Sequence, residues 1–183
     1  PRAHLFACDL IPASFEYDGV DCARTNADGT LPFPDAHFDA TVSIEVVEHV
    51  EDQFAFLREL VRVTKPGGKL AWVLTHPCFR IPRQSGWGID EKRKLQYRRV
   101  DHYLSPLKIP IYTHPGSSPD LYTWTFHRPL SFYIEKLTAA GWLITHIQEW
   151  TSHKSSQPGK FAKAENRARN EIPLFMAIGA VKQ

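Results

Sequence analysis

The chain has 183 residues, 43% of them hydrophobic and 23% charged, with a mean hydropathy of -0.33 and a formal net charge of +2. That length suits one domain with its own core, residues 1–183, and so small a charge does not by itself imply nucleic acid or an acidic partner. Cys8, Cys22 and Cys78 are an odd count at unpatterned spacings, which argues against a disulfide framework and for a reducing, cytoplasmic setting.

No apolar run approaches the ~20 residues that span a bilayer. Pro1-Arg2-Ala3-His4 is not followed by a continuous apolar stretch, so it does not read as a signal peptide. A start without Met leads us to expect a fragment.

In chain order, His4 to Cys8 predicts a short buried strand with Asp9 at its tip, broken by Pro12. Phe15 to Thr25 is mixed and assigns nothing firm. Leu31-Pro32-Phe33-Pro34-Asp35 predicts a turn, because two prolines remove donors and fix φ. Phe38 to Ile44 (FDATVSI) predicts a strand rich in β-branched residues.

From Asp52 to Thr64 the spacing becomes helical. Phe54, Leu57 and Val61, with Leu60, form the apolar stripe, and Arg58, Glu59 and Arg62 take the opposite side. Lys65-Pro66-Gly67-Gly68 supplies a stop, and Lys69 to Thr75 predicts a second buried strand. Strand, helix, strand with short joins is a βαβ unit.

Residues 79–126 break this rhythm, with recurring prolines, a basic cluster (Lys92, Arg93, Lys94, Arg98, Arg99) and many rings. Long connections in compact domains are usually functional or disordered. Trp87, Tyr97, Tyr103, Tyr112, Tyr122, Trp124 and Phe126 are too many large rings for disorder, so a folded cap with an aromatic pocket is expected. A helix capped by Ser131 and stopped by Gly141 follows. After it come a strand from Trp142 to Trp150, a polar loop, a short helix from Ala162 to Arg169 and a last strand from Pro173 to Val181.

LPFPDAHFDA, the helix ending in KPGG, and Asp9, Asp28, Ile44-Glu45 and His76-Pro77 after successive strands resemble the class I S-adenosylmethionine (SAM) dependent methyltransferases. The likeness is to the broad ubiquinone-biosynthesis-like group, methyltransferase type 11. It implies an α/β fold: a Rossmann-like, doubly wound, mostly parallel sheet of order 3-2-1-4-5-7-6 with an antiparallel last strand. Residues 79–126 would be an insertion after the fifth family strand. Ligands of such sheets lie beyond the carboxyl ends of the strands.

The resemblance implies that Asp9, with Leu10 beside it, receives the ribose hydroxyls of SAM. Asp28 would accept the adenine amino group, Gly29 would admit the ring, and Ile44 would flank the methionine portion. It departs from the family at the front, where the family's first strand, ending in an acidic residue, and its Gly-x-Gly loop do not come before the strand that ends at Asp9. An N-terminally truncated chain that does not turn over by itself is therefore expected.

Three histidines are candidate proton acceptors, since imidazole titrates near neutrality: His49, His76 and His127. Each could equally be a hydrogen-bonded structural residue. Glu45, Glu48 and His49 at i, i+3 and i+4 would converge on one face if helical, similar to the E-x-x-E-H metal element of small-RNA and catechol O-methyltransferases. Methyl transfer to a small molecule, with no metal, is the first reading. Metal-assisted RNA or catechol O-methylation is the second, and a non-catalytic binding module is the third.

Overall fold

The computed structural model describes residues 4–9, 18–112 and 122–183. Strands β1 (Leu5–Asp9), β2 (Val20–Arg24) and β3 (Phe38–Ile44) lead into helix α1 (Gln53–Val63) and strand β4 (Thr64–Thr75). Four shorter strands follow, β5 (Ser85–Asp90), β6 (Leu95–Val100), β7 (Leu107–Tyr112) and β8 (Tyr122–His127). The chain closes with α2 (Leu130–Ala140), β9 (Trp142–Trp150), α3 (Ala162–Glu171) and β10 (Phe175–Lys182). Among the described residues no helix is long and apolar enough to cross a membrane.

The principal sheet has the order β3-β4-β10-β9, with β3 parallel to β4 and β10 antiparallel to both its neighbours. β1 and β2 pair in parallel as a separate ribbon. Taken together this is the expected α/β arrangement, with no described strand joining β1 to β3. Phe6 of β1 instead meets Phe38 at the start of β3 edge-on, with centroids 5.3 Å apart, and Phe33 at 5.9 Å.

One face of the sheet is covered by α1 and α2. Leu70, Trp72 and Leu74 of β4 alternate inward and meet Leu57, Leu60, Tyr133 and Leu137 in one core, the period-2 burial of a half-covered strand. Asp52 begins α1 by accepting from the Ala55 N–H at 2.9 Å, as a carboxylate at this position should. The buried stripe runs Gln53, Leu57, Leu60, Val63, rotated from the expected Phe54 side. Gln53 can be inside because its amide donates to the Val47 carbonyl at 3.0 Å.

The Lys65–Gly68 tract does not end the helix. Val63 is the last helical residue, and the tract is an irregularity inside the β3–β4 ladder, where pairing moves from Phe38 with Thr64 to Ala40 with Lys69. A Cβ on Gly68 would lie 2.6 Å from Thr64 Cγ2 and 2.8 Å from the Lys65 oxygen. Glycine is needed there for close approach. The end of α1 is met from the last strand: Lys182 Nζ donates to the Val61 and Thr64 carbonyls at 2.7 Å each, a cation where the helix dipole is negative.

Ser131 does not cap α2, whose N-cap position is Pro129. The exposed Leu130 N–H is met instead by the Tyr103 hydroxyl at 3.1 Å. Tyr103 also accepts from the Cys78 thiol at 3.4 Å, and its carbonyl accepts from His127 Nε2 at 2.8 Å. This tyrosine is one of the residues that tie the inserted segment to the rest, with Trp124 and Lys108. Within that segment β5–β6 and β7–β8 form two antiparallel ribbons.

Arg62 was expected on the solvent side of α1. It lies across the Leu31–Asp35 turn and places all five of its donors. Nε and one terminal nitrogen bind both Glu59 oxygens at 2.9 Å; the terminal nitrogens also reach the Leu31 and Phe33 carbonyls and Asp35. Glu59 in turn accepts from the Leu31 N–H at 3.0 Å. Charge-assisted bonds of this kind are the stronger ones. Arg62→Ala should cost about 2 kcal/mol, with Arg62→Lys recovering only part. Urea titration checks this; an unmoved midpoint for the alanine variant would sink it.

Candidate functional site

Four of the residues expected to hold SAM, Asp9, Asp28, Gly29 and Ile44, lie at or just beyond the carboxyl ends of β1, β2 and β3. Asp9 ends β1, and its carbonyl accepts from the Thr25 N–H at 3.0 Å just beyond β2. Asp28 and Gly29 form the turn that follows. Asp28 Oδ1 accepts from the Thr30 hydroxyl at 2.7 Å and the Thr30 N–H at 2.9 Å. Those two donors, the hydroxyl first, hold its carboxyl below the usual range.

Gly29 has φ +83, and a Cβ there would meet nothing within 4 Å. Ile44 ends β3 with 59% of its surface exposed, unusual for an isoleucine beside a core. Open space over a glycine, carboxylates on neighbouring strand ends and an uncovered isoleucine fit the adenosine and methionine portions of SAM in turn. Leu10 lies outside the described residues.

After Ile44 the chain turns sharply. Glu45 takes φ +52, a left-handed conformation that a non-glycine residue rarely adopts. A 3₁₀ turn, Val47–His49, follows in place of an α-helix. The i, i+3, i+4 convergence expected of Glu45, Glu48 and His49 does not form. Glu45 faces Arg80, with 3.8 Å between charged atoms. Glu48 is buried, and one oxygen accepts from the Thr75 N–H at 3.2 Å while the other has no partner. Among the described residues no group of three or more His, Cys, Asp or Glu side chains is placed to hold a metal.

Burial raises the Glu48 carboxyl above its ordinary range, the two backbone donors only partly opposing it. Burial also raises the nearby Tyr133 phenol, and Glu48 adds to that effect.

The three histidines differ in what their rings are already doing. His49 is exposed, and its Nδ1 donates to the Trp124 carbonyl at 3.1 Å. That bond fixes the proton on Nδ1 and leaves the lone pair on Nε2. His76 is buried with both nitrogens committed: Nδ1 accepts from the Cys78 N–H at 3.2 Å and Nε2 binds Glu149 at 2.8 Å. His127 is buried too. Its Nε2 donates to Tyr103, and burial lowers its tendency to take a proton.

A cavity of about 510 Å³ opens beside this turn, within the size range of small-molecule sites. Glu45, Glu48, His49 and Thr75 form one wall, and Ile81, Pro82 and Ile111 supply apolar surface. Arg80, Arg83 and Arg98 complete it. Among the described residues none of the expected rings lines this cavity, and two of them lie behind its cations. Arg98 lies 5.0 Å from the Trp87 ring centroid and Arg83 lies 6.0 Å from that of Tyr112.

Arg80 and Arg83 escaped the sequence reading, and Arg98 entered it only as one of the basic cluster. The Phe79-Arg80-Ile81-Pro82-Arg83 run after His76-Pro77 was the available signal, but Arg98 reaches the same place only through the β5–β6 pairing.

Residues 3–72 match the family model described as a methyltransferase domain. Over 67 residues the chain is 45% identical to norajmaline N-methyltransferase of Rauvolfia serpentina, covering 36% of this chain and 23% of that protein. Over 51 residues it is 45% identical to the ubiquinone/menaquinone biosynthesis C-methyltransferase of Shewanella woodyi, covering 28% and 20%. The matched stretches thus span under a quarter of these relatives.

The structure resembles a SAM-dependent methyltransferase from Mesorhizobium loti with a TM-score of 0.71 at 23% identity, over 98% of this chain and 81% of that one. A putative SAM-dependent methyltransferase from Listeria monocytogenes gives 0.73 at 18% identity, over 99% and 81%. Those two likenesses speak for the fold, and the segment that matches the methyltransferase domain, residues 3–72, carries the strand-end residues Asp9, Asp28, Gly29 and Ile44.

Proposed function

We propose that the protein directs a methyl group from SAM to an oxygen, nitrogen or carbon of a small acceptor held in the 510 Å³ cavity. One observation carries this reading. The cavity adjoins the residue after Ile44, where the resemblance puts the reacting end of the cofactor, and its wall carries a carboxyl and an imidazole. SAM, when bound, supplies a methyl on a sulfonium leaving group, so alignment provides much of the catalysis.

Asp9, Asp28, Gly29 and Ile44 would hold the cofactor. His49 is the histidine best arranged to take a proton from an acceptor hydroxyl or amine, since Trp124 fixes its tautomer. Residues 79–126 serve as the substrate cap in this reading. We also place the protein in the cytoplasm, on the odd and unpatterned cysteines.

RNA is the weaker alternative because its basic cluster is partly neutralised. Arg93 lies 3.9 Å from Asp90, Arg99 lies 3.0 Å from Asp101, and Glu91 is taken by Lys160 at 3.0 Å.

Calorimetry with SAM and transfer of radiolabelled methyl to metabolite extracts test the proposal. Saturable SAM binding and a labelled product are expected of the full-length protein, and absence of any SAM heat from it would count decisively against the proposal. His49→Gln should lower kcat about tenfold to a hundredfold for an acceptor that loses a proton, with SAM affinity unchanged.

Glu48 gives a prediction with a pH signature. Its folded pKa is raised above the ordinary 4.5, so the folded state holds the proton more tightly than the unfolded one. Its contribution to stability is full below pH 4.5 and is lost as pH rises above it. Glu48→Gln should therefore resist urea better than the parent at pH 8 but not at pH 5, while turnover falls. Equal midpoints for the two proteins at pH 8 would contradict the cost assigned to this carboxyl.

A further inference from the structure

The cavity holds more positive charge than its own carboxylates answer. Arg80 has Glu45 at 3.8 Å, a long contact between half-exposed groups. Arg83 donates to the Pro110 carbonyl at 2.9 Å, and Arg98 donates to the Phe79 carbonyl at 2.7 Å and the Ser85 hydroxyl at 2.9 Å. Among the described residues, no carboxylate comes within ion-pair distance of Arg83 or Arg98. A neutral carbonyl or hydroxyl orients a guanidinium without cancelling its charge.

The arrangement is costly as it stands. Arg98 is half-buried, and burial together with the charge of Arg80 lowers the affinity of its guanidinium for the proton. Arg83 holds its place with φ +60, outside the conformations non-glycine residues favour. Strained backbone and unanswered like charges at one cavity mark a place where a ligand completes the balance.

Only part of the donor capacity of Arg83 and Arg98 is spent on the bonds named above. A guanidinium presents five N–H donors in a planar fork matched to carboxylate or phosphate oxygens. On the opposite wall Glu48 has a buried oxygen with no partner, and His49 has its Nε2 lone pair. The cavity is therefore polar at two ends, with Ile81, Pro82 and Ile111 contributing apolar surface.

We propose that the acceptor is an anion, a carboxylate or phosphate monoester on a small apolar body, gripped by Arg83 and Arg98 with its reactive group turned toward Glu48 and His49. The orientation rests on the methyltransferase reading, whereas the anion grip stands on the cavity alone. The same charges explain why a cationic amine would be a poor acceptor here. Arg80, partly paired with Glu45, would adjust the field more than it contacts the ligand.

Ligand-observed NMR titration of the chain without SAM tests this, using 3-phenylpropionate, phenyl phosphate and the neutral 3-phenylpropionamide as probes. At least one anion should bind about tenfold more tightly than the amide, the value of one well-made charged contact. The stronger anion distinguishes carboxylate from phosphate. Arg83→Met should weaken that anion about tenfold, leaving amide binding and the urea midpoint unchanged. Arg98→Lys, which keeps the charge but loses the fork, should weaken it several-fold.

Equal binding of anions and amide would overturn the proposal, as would failure of both anions to saturate by about 10 mM. Indifference of the anion to Arg83→Met would also overturn it. SAM calorimetry and the anion titration, both run on the full-length protein, separate the two ideas. Anion binding without SAM binding removes the methyltransferase reading alone, and SAM binding without anion preference removes the anion site alone.

Discussion

Arg62 is the contact on which the cofactor edge depends. A helix side chain with all five donors used against a turn does more than hold that turn in place. It fixes the chain between Asp28 and β3, so the Asp28–Gly29 loop and the end of β3 keep one spacing. Glu59 closes the arrangement by accepting from the Leu31 N–H. The two prolines of the turn contribute in another way, since neither brings an N–H that the clamp would have to satisfy.

Much of the fold was legible because its signals are local. β3 and β9 have the bounds expected of them, Phe38–Ile44 and Trp142–Trp150. Alternation, β-branched residues and Gly141 settle those two without outside help. Gly141 stops α2 in the left-handed conformation, as a C-terminal glycine should. Gly67 and Gly68 were recognised as special residues and given the wrong task. Gly67 takes the left-handed φ of +72, and Gly68 is crowded first by Thr64 and the Lys65 carbonyl and then by the Asp39 carbonyl of the neighbouring strand.

The positions in the candidate site were legible in part. Asp9, Asp28, Gly29 and Ile44 could be placed because each follows a strand. Arg62 and Arg98 could not, because helical position tells which way a charge faces and not what the rest of the chain brings to it. Periodicity reads Arg62 as solvated and Arg98 as one of a basic group. Only tertiary pairing shows the first as a clamp and the second as a cavity wall. The aromatic residues were noticed for their number, and their use proved to be backing cations rather than lining space, a geometry that stacking on guanidinium planes favours. His76 shows the converse: a suggestive position at a strand end, with both ring nitrogens already spoken for by Cys78 and Glu149.

Tyr103 has a consequence for how such a protein can change over generations. Through its hydroxyl and its carbonyl it joins the inserted segment to the start of α2 and the end of β8. The cations Arg80, Arg83 and Arg98 all belong to that segment, while the strand-end residues assigned to the cofactor all precede it. In the proposed reading the cavity cations and the cofactor residues therefore lie in different stretches of chain, and Tyr103 is one of several residues that tie the segment to the rest, with Trp124 and Lys108. A lineage that kept Tyr103 could rewrite the cavity for new acceptors while its cofactor half stayed as inherited.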